Sequence, residues 1–431
     1  MPATPRTYRI ETLGCKVNVY DSRRLAEALE SCGLEAARPG RPADVCIVNT
    51  CTVTAVADRK SRKLAARLVR ENPGAAVFVT GCGVEARPDG PPEAAGIAGR
   101  FRRTEWRALL QAAAGQPAAA GQPAAGDGVP AGDFGIRSFD GRARAFLKVQ
   151  DGCDAFCAYC ILPHVRGRPR SRPVADVAAE ARRLADAGFP EIVLTGIHTG
   201  FYGRDLPDRP SLARALTAVA ETDGVERVRL SSIEAGEVTD ELLAAMAHPA
   251  VCAHLHLPLQ SGNAGVLSRM GRRYRPAEYL DTVARARAAL GAPAISTDVM
   301  VGFPGEDAAA FENTMDLCRV VRFSRIHVFP YSPRAGTPAA SMDGRAPADA
   351  VGTRGRALRG LANLLAADWA ESFVGHRVRV LLEREGPVGR LSGYTDHYVR
   401  LTVPADGGRL GQVVHVRCTA RKGLSLTGVL E

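Results

Sequence analysis

The 431-residue chain has no run of roughly 18 apolar residues, so no segment is suited to cross a bilayer as a helix. Its first residues, MPATPRTYRI, lack the apolar stretch of a secretory signal. These absences predict a cytoplasmic protein with no membrane partner. Nor is there a disulfide framework: eleven cysteines are spread along a chain without an export signal, which points to metal or catalytic use. Lysine is scarce beside arginine. Lys and Arg together number 56 against 46 Asp and Glu, for a net charge of +10. Part of that excess reflects an Arg-, Ala- and Gly-rich composition, but a basic balance favours a polyanionic partner, usually nucleic acid. The length suits two or three domains with cores of their own.

A fourth ligand is missing where one is most expected. Residues 148–172 read KVQDGCDAFCAYCILPHVRGRPRSR, with Cys153, Cys157 and Cys160 spaced as C-x3-C-x2-C. A [4Fe–4S] cluster normally takes four thiolates. Three leave one iron open, as S-adenosylmethionine (SAM) requires if its amino and carboxylate groups are to chelate that iron. A structural zinc site would need His164 or a distant cysteine to close it, and a disulfide would leave one thiol over. The spacing, with Tyr159 before the last cysteine, resembles that of the radical SAM enzymes.

Three further cysteines share one kind of position. YRIETL (8–13) reads as a strand entering Gly14-Cys15, DVCIVN (44–49) enters Thr50-Cys51, and AAVFVT (75–80) enters Gly81-Cys82, with helices over 22–30 and about 55–70 between them. In a parallel α/β sheet the carboxyl ends of strands share an edge, so Cys15, Cys51 and Cys82 should converge and suit a second cluster with an open iron. Three unrelated core cysteines are the plainer reading. Cys32 and Cys46 lack that placement and read as structural. TLGCKVNVYDS, VNTCTVTAVADRKSRK and VTGCGVEA resemble the N-terminal domain of the methylthiotransferases. The resemblance implies that these three cysteines hold an auxiliary [4Fe–4S] cluster. TLGCKVN with NTCTVT-x-x-ADRKSR is most similar to the branch acting on N6-threonylcarbamoyladenosine (t6A) at tRNA position 37. Gly83-Val84-Glu85 departs from the family, which there has an aromatic or Ala and then Gln.

Arg59, Lys63, Arg67 and Arg70 form a basic stripe on the second helix, either a solvated face or a contact for RNA backbone. Residues 111–133 repeat AAAGQP and lack the apolar residues to bury a core, which predicts a linker over 111–135. The domains are therefore expected at 1–110, 136–370 and 371–431.

In the central segment RAFLKV (144–149) should deliver the cysteine loop. EIVLTG (191–196), VERVRLSS (225–232), CAHLHLPL (252–259), AISTDVMVG (294–302) and RIHVFPYS (325–332) alternate with helical patterns near 211–221, 239–247, 276–290 and 308–321. Six β–α units predict a partial (β/α)6 barrel with its site at the strands' C-terminal ends. Candidates for SAM contact there are Tyr159, Thr195, Gly196, Ser231, Ser232, Glu234, Gln260, Ser261, Gly262, Asp298 and the turn 302–305, although each residue type is also common in caps and turns. The runs LSSIEAGE, HLPLQSGN, TDVMVGFPGE and FPYSPRAGTPAA resemble family motifs. His198 stands where the family has Asn, and His254 and His256 read as core histidines. Arg166, Arg168, Arg170 and Arg172 either pair with phosphates or offset cluster charge.

Residues 376–384, 398–403, 411–418 and 424–430 are short alternating strands, which predicts a small β-barrel. Residues 371–431 hold nine Arg and Lys against six Asp and Glu. The segment resembles the TRAM domain, an RNA-binding module. The resemblance implies a tRNA-modifying radical SAM enzyme that methylthiolates C2 of t6A, with two [4Fe–4S] clusters, SAM, a tRNA anticodon loop presenting adenosine 37, and a reductant such as flavodoxin or ferredoxin. Isopentenyladenosine in tRNA or a ribosomal-protein Asp are alternative substrates within the family. Outside it stands a non-catalytic zinc protein that binds RNA.

Overall fold

A computed structural model of the chain describes residues 6–88, 90, 94–115, 136–139, 141–386, 389–406 and 408–431. Residues 116–135, most of the expected linker, lie outside them; 111–113 close a helix instead.

The N-terminal unit is a five-stranded parallel sheet in the order β2-β1-β3-β4-β5. Its strands are β1 (Thr7–Thr12), β2 (Glu35–Ala36), β3 (Val45–Thr50), β4 (Ala76–Gly81) and β5 (Ile97–Arg100), and its helices α1 (Lys16–Ser31), α2 (Ala55–Glu71), α3 (Cys82–Ala86) and α4 (Trp106–Ala113). Every residue of β3 is buried, as its unbroken apolar run predicts for a central parallel strand. The edge strands β2 and β5 are too short to leave a periodic signal. Thr54 caps α2 by accepting from the Ala57 N–H at 3.1 Å.

The central unit carries six parallel strands: β6 (Arg144–Asp151), β8 (Glu191–Gly196), β9 (Arg227–Leu230), β10 (His254–His256), β11 (Ala294–Val301) and β12 (Arg325–Pro330). The two-residue β7 (Arg170–Ser171) pairs antiparallel with β6. A parallel bridge between Val228 and Val251 joins the two halves, giving the expected partial barrel. The short α5 (Leu162–Arg166) follows the cysteine loop; α6 (Val174–Asp186), α7 (Leu212–Ala220), α8 (Asp240–Met246), α9 (Ala264–Arg269), α10 (Pro276–Leu290) and α11 (Ala308–Val321) follow in order.

A 24-residue helix, α12 (Ala348–Glu371), packs Leu358, Ala362 and Leu365 into the central core. Its sequence carries no clear helical signal. Gly352, Gly355 and Gly360 depress its local helix propensity, so tertiary burial decides its structure. Beyond it β13 (Arg377–Glu385), β14 (Arg390–Thr395), β15 (Arg400–Pro404), β16 (Val413–Lys422) and β17 (Ser425–Leu430) close a five-stranded barrel in the order β13-β14-β15-β17-β16. β14 is the strand not anticipated, because Ser392-Gly393 interrupts its apolar alternation.

The small barrel docks under the central sheet through buried charge. Glu191, at the start of β8, meets Arg227 at 2.8 Å and Arg229 and Arg144 at 3.2 Å. Arg229 also donates to the carbonyls of Thr395 and Asp396, and Arg227 to that of Tyr394. Burial alone would raise the Glu191 carboxyl, but Arg229, Arg227 and Arg144 outweigh it and hold it at about 2. Replacing Glu191 by Gln leaves the fully buried Arg229 without its carboxylate and Arg227 with Asp396 alone, at 3.2 Å, and is expected to cost about 3–5 kcal/mol at neutral pH. The folded carboxyl titrates below its unfolded value of about 4.3. The contribution is therefore complete above that value and fades as pH falls toward 2. Denaturant unfolding of the metal-free wild type and E191Q should show a gap that narrows over that window; a gap independent of pH would refute the assignment.

Candidate active site

The order β1-β3-β4 places three neighbouring strands side by side, and Cys15, Cys51 and Cys82 follow their carboxyl ends directly. The thiols lie close enough for Cys82 to act electrostatically on Cys15, and for both to act on Cys51. Desolvation raises Cys15 and is the largest cause in Cys51, which it lifts to about 11. Cys15 is exposed, yet it lines a concave cavity, which explains how it can be both accessible and desolvated. Gly14 makes the approach possible. At φ 111° it takes a conformation that other residues rarely adopt, and a Cβ there would lie 2.9 Å from Cys51 Cβ and 3.0 Å from its Sγ. Gly83, where the sequence departs from the family, donates its N–H to Thr50 Oγ1 at 3.0 Å; a Cβ would sit 2.8 Å from that oxygen. Glu85 meanwhile accepts the Arg103 N–H at 2.8 Å. The departure is thus matched by its own contacts. Cys46 is buried in β3, away from the trio, whereas Cys32 is exposed after α1 and so has no packing role.

Cys153, Cys157 and Cys160 lie on the loop after β6 and are likewise unpaired thiols. Burial pushes Cys157 up, and Cys160 to about 12. Arg272 Nη1 stands 3.6 Å from Cys157 Sγ and 2.6 Å from Glu234 Oε1. His198, to which the sequence assigns no role, lies against the cysteine loop: Nδ1 is 3.2 Å from Cys153 Sγ, Nε2 is 2.8 Å from Glu237, and the ring stacks on Phe201 at 3.7 Å. Burial would lower its pKa, but the Cys153 and Glu237 hydrogen bonds raise it to about 9. Its position in LTGIHTG, at the end of β8, was the available signal.

The four arginines after the cysteine loop divide. Arg166 is fully buried and bonds Cys82 Sγ at 3.3 Å, Asp21 at 2.8 Å and Asp151 at 3.2 Å, and also Asn18. It therefore joins the loop of one trio to a thiol of the other. Asp21 and Asp151 are held further by Lys148 at 2.6 and 3.1 Å, and Asp151 by Arg103 at 2.7 Å. Arg172 binds Glu180 and reaches Tyr20 Oη at 3.2 Å. Arg168 and Arg170 are exposed. On α2, Arg59, Lys63, Arg67 and Arg70 are exposed as well, with Arg67 3.7 Å from Glu71.

A cavity of about 900 Å³ fills the barrel interior. Cys15, Thr195, Gly196, Ser231, Ser232 and Asp298 are among its walls, so one of the auxiliary thiols and the strand ends meet there. The other five cluster cysteines are not on its lining. His256 also lines it, bonding Ser296 at 2.9 Å and Asp298 at 3.3 Å; it is therefore a cavity residue rather than a core one. His254 is buried and bonds Ser296 through Nε2 at 2.8 Å, but Nδ1 has no partner among the described residues. Tyr159, Glu234 and Gln260 stand off the cavity. Tyr159 packs edge-on against Phe303, and Glu234 is engaged by Arg272. Gln260 has a left-handed φ of 61° and a buried Oε1 with no partner among the described residues. The C-terminal barrel supplies the floor, with Tyr394, His397, Tyr398 and Arg400.

The residues fit the groups that the sequence implies. The members of each trio interact electrostatically, the thiols carry no disulfide, and the unsatisfied Gln260 oxygen offers an acceptor to a ligand. A His256–Asp298–His327 cluster is also within metal-binding reach, but its His256–Asp298 pair is already hydrogen-bonded.

Residues 147–318 match the Radical SAM superfamily, and residues 7–95 match the Uncharacterized protein family UPF0004. The chain is 36% identical over 421 residues to the threonylcarbamoyladenosine tRNA methylthiotransferase MtaB of Bacillus subtilis (strain 168), covering 95% of this chain and 93% of the relative. It is 39% identical over 432 residues to the tRNA-2-methylthio-N(6)-dimethylallyladenosine synthase of Frankia alni, covering 97% and 84%. Among solved structures, the radical SAM methyltransferase TsrM of Kitasatospora setae superposes with a TM-score of 0.58 at 17% identity, over 90% of this chain and 81% of that one. That likeness is one of fold.

Arg166→Gln removes the cation nearest Cys82. In a Cys153→Ala background, R166Q is expected to bind less than half the iron and sulfide that the parent retains on Cys15, Cys51 and Cys82. Equal loading would show that Arg166 only packs.

Proposed function

The chain belongs to the radical SAM tRNA methylthiotransferases, and from that membership we propose that it methylthiolates C2 of N6-threonylcarbamoyladenosine at position 37 of tRNA. Family membership brings [4Fe–4S] and SAM chemistry with it. The proposal assigns the clusters to this chain's own residues: Cys153, Cys157 and Cys160 hold the one that binds SAM, and Cys15, Cys51 and Cys82 hold an auxiliary one. When bound, these groups supply reductive cleavage of SAM and a sulfur that is methylated and delivered to the unactivated C2–H position.

The remaining roles fall to side chains. Arg166 and Arg272 offset negative charge at Cys82 and Cys157. Gln260 accepts a hydrogen bond from SAM, while Thr195, Gly196, Ser232 and Asp298 shape its pocket at the strand ends; Tyr159 and Glu234 brace the cysteine loop from behind. The reductant, a protein such as flavodoxin or ferredoxin, meets the exposed side of that loop near Phe156. The exposed cations of α2, Arg168, Arg170 and the C-terminal barrel over 371–431 hold tRNA backbone, and the base enters splayed from its loop. Residues 1–110 and 136–370 are the two catalytic units. No described helix is long and apolar enough to cross a membrane, and the substrate is found in the cytoplasm, where the enzyme would act.

One observation carries the choice of substrate. The t6A side chain ends in a carboxylate, whereas an isopentenyl group is apolar. The cavity is lined by Lys16, Arg325 and Arg400 against a single carboxylate, Asp298, and suits the anion. The identity to the Frankia alni enzyme supports isopentenyladenosine as the second reading.

Cys153→Ala is expected to abolish SAM cleavage, while Cys51→Ala spares it and abolishes methylthiolation. Assays of 5′-deoxyadenosine and modified nucleoside in both variants test the division; equal loss of cleavage contradicts it. Wild-type protein should bind about eight irons and eight sulfides per chain. Nucleoside mass spectrometry of tRNA from a deletion strain should show loss of methylthiolated t6A; loss of the isopentenyl nucleoside instead would favour the second reading.

A further inference from the structure

We propose that Lys16 forms a carboxylate subsite beside the sulfur-donating trio and is the residue that selects the substrate's anionic side chain. The inference rests on the t6A reading above. Lys16 opens α1 immediately after Cys15, and both residues line the barrel cavity. It makes no hydrogen bond and no ion pair among the described residues. A half-buried ammonium on the cavity wall with no such partner has its donors free for an anion that enters the cavity.

The other candidates are accounted for. Arg400 bonds Ser392 Oγ at 3.3 Å, and Arg325 is exposed at the start of β12. Asp298, the single carboxylate on the lining, faces His256 at 3.3 Å. Lys16 is thus the unpaired cation next to Cys15.

The chemistry of the base fits this placement. C2 and C6 of adenine flank the same ring nitrogen, N1. A substituent on N6 that extends past N1 brings its far end toward the side of the ring that carries C2. A cation adjacent to the sulfur donor can therefore hold the carboxylate while C2 faces the sulfur. An ammonium–carboxylate contact of this kind is worth about 1.5–3 kcal/mol, or about 10- to 100-fold in affinity.

The test is binding, measured without reductant so that no turnover occurs. Anticodon stem-loop RNAs carrying t6A or unmodified adenosine at position 37 are titrated against iron-loaded wild type, Lys16→Gln and Lys16→Arg, with iron and sulfide determined for each. Wild type is expected to prefer the t6A RNA by about 10-fold or more. K16Q should bind both RNAs alike, and K16R should keep most of the preference because it keeps the charge. Equal retention of the preference in both variants, or equal loss in both, overturns the subsite. Absence of any preference in the wild type would instead refute the t6A reading itself, and the subsite with it.

Discussion

Buried charge between Asp21, Asp151, Lys148, Arg103 and Arg166 is the constraint on which the arrangement depends. These groups come from α1, β6, the turn before α4 and the end of α5. Removing so many ions from water is unfavourable unless they find counter-charges; Asp151 meets Lys148 and Arg166 within the central unit and Asp21 meets Arg103 within the N-terminal one, but the pairs of Asp21 with Lys148 and Arg166 and of Asp151 with Arg103 form only when the N-terminal sheet and the partial barrel are docked. Two carboxylates face three cations. The remaining positive charge sits on Arg166, whose Nε points at Cys82 Sγ. The cluster of charges is therefore closer to neutral when sulfur at that position is anionic, as it is when bound to metal. One guanidinium thus ties the charge at Cys82 to the docking of the two units.

This explains how two sites far apart in sequence are held together. Cys160 is six residues from Arg166, and α5 is the rigid connection between them. The second anchor, at the opposite end of the strands, is Glu191 with its three arginines. Between the two anchors the partial barrel has its open side closed by residues 14–17 and its base closed by the loop at 394–398. The cavity is a product of all three units.

Much of this was legible in the chain, for a physical reason. Strand ends in a parallel sheet converge, so the repeated strand–Cys pattern predicted the meeting of Cys15, Cys51 and Cys82. The C-x3-C-x2-C loop and the six β–α units were local signals of the same kind. What sequence could not convey were partnerships between distant residues. Arg166, Arg168, Arg170 and Arg172 look equivalent in a row, yet burial separates the first from the rest. His198 and Arg272 become neighbours of the cysteine loop only in three dimensions. Glu234 and Gln260 sit at the strand ends where SAM contacts were expected, but neither lines the cavity: Glu234 turns to Arg272 beside Cys157, and the buried Gln260 Oε1 has no partner among the described residues. The glycine-studded α12 was missed because burial, not propensity, stabilises it.

The base of the cavity has a consequence for how such proteins diversify. Tyr394, His397 and Tyr398 belong to the small C-terminal barrel, yet they enclose the volume a substrate would enter. That barrel cannot be exchanged like an appended handle. Grafting one from another chain would re-tailor the interior, so new specificities are more accessible by point changes around the shared space than by shuffling modules.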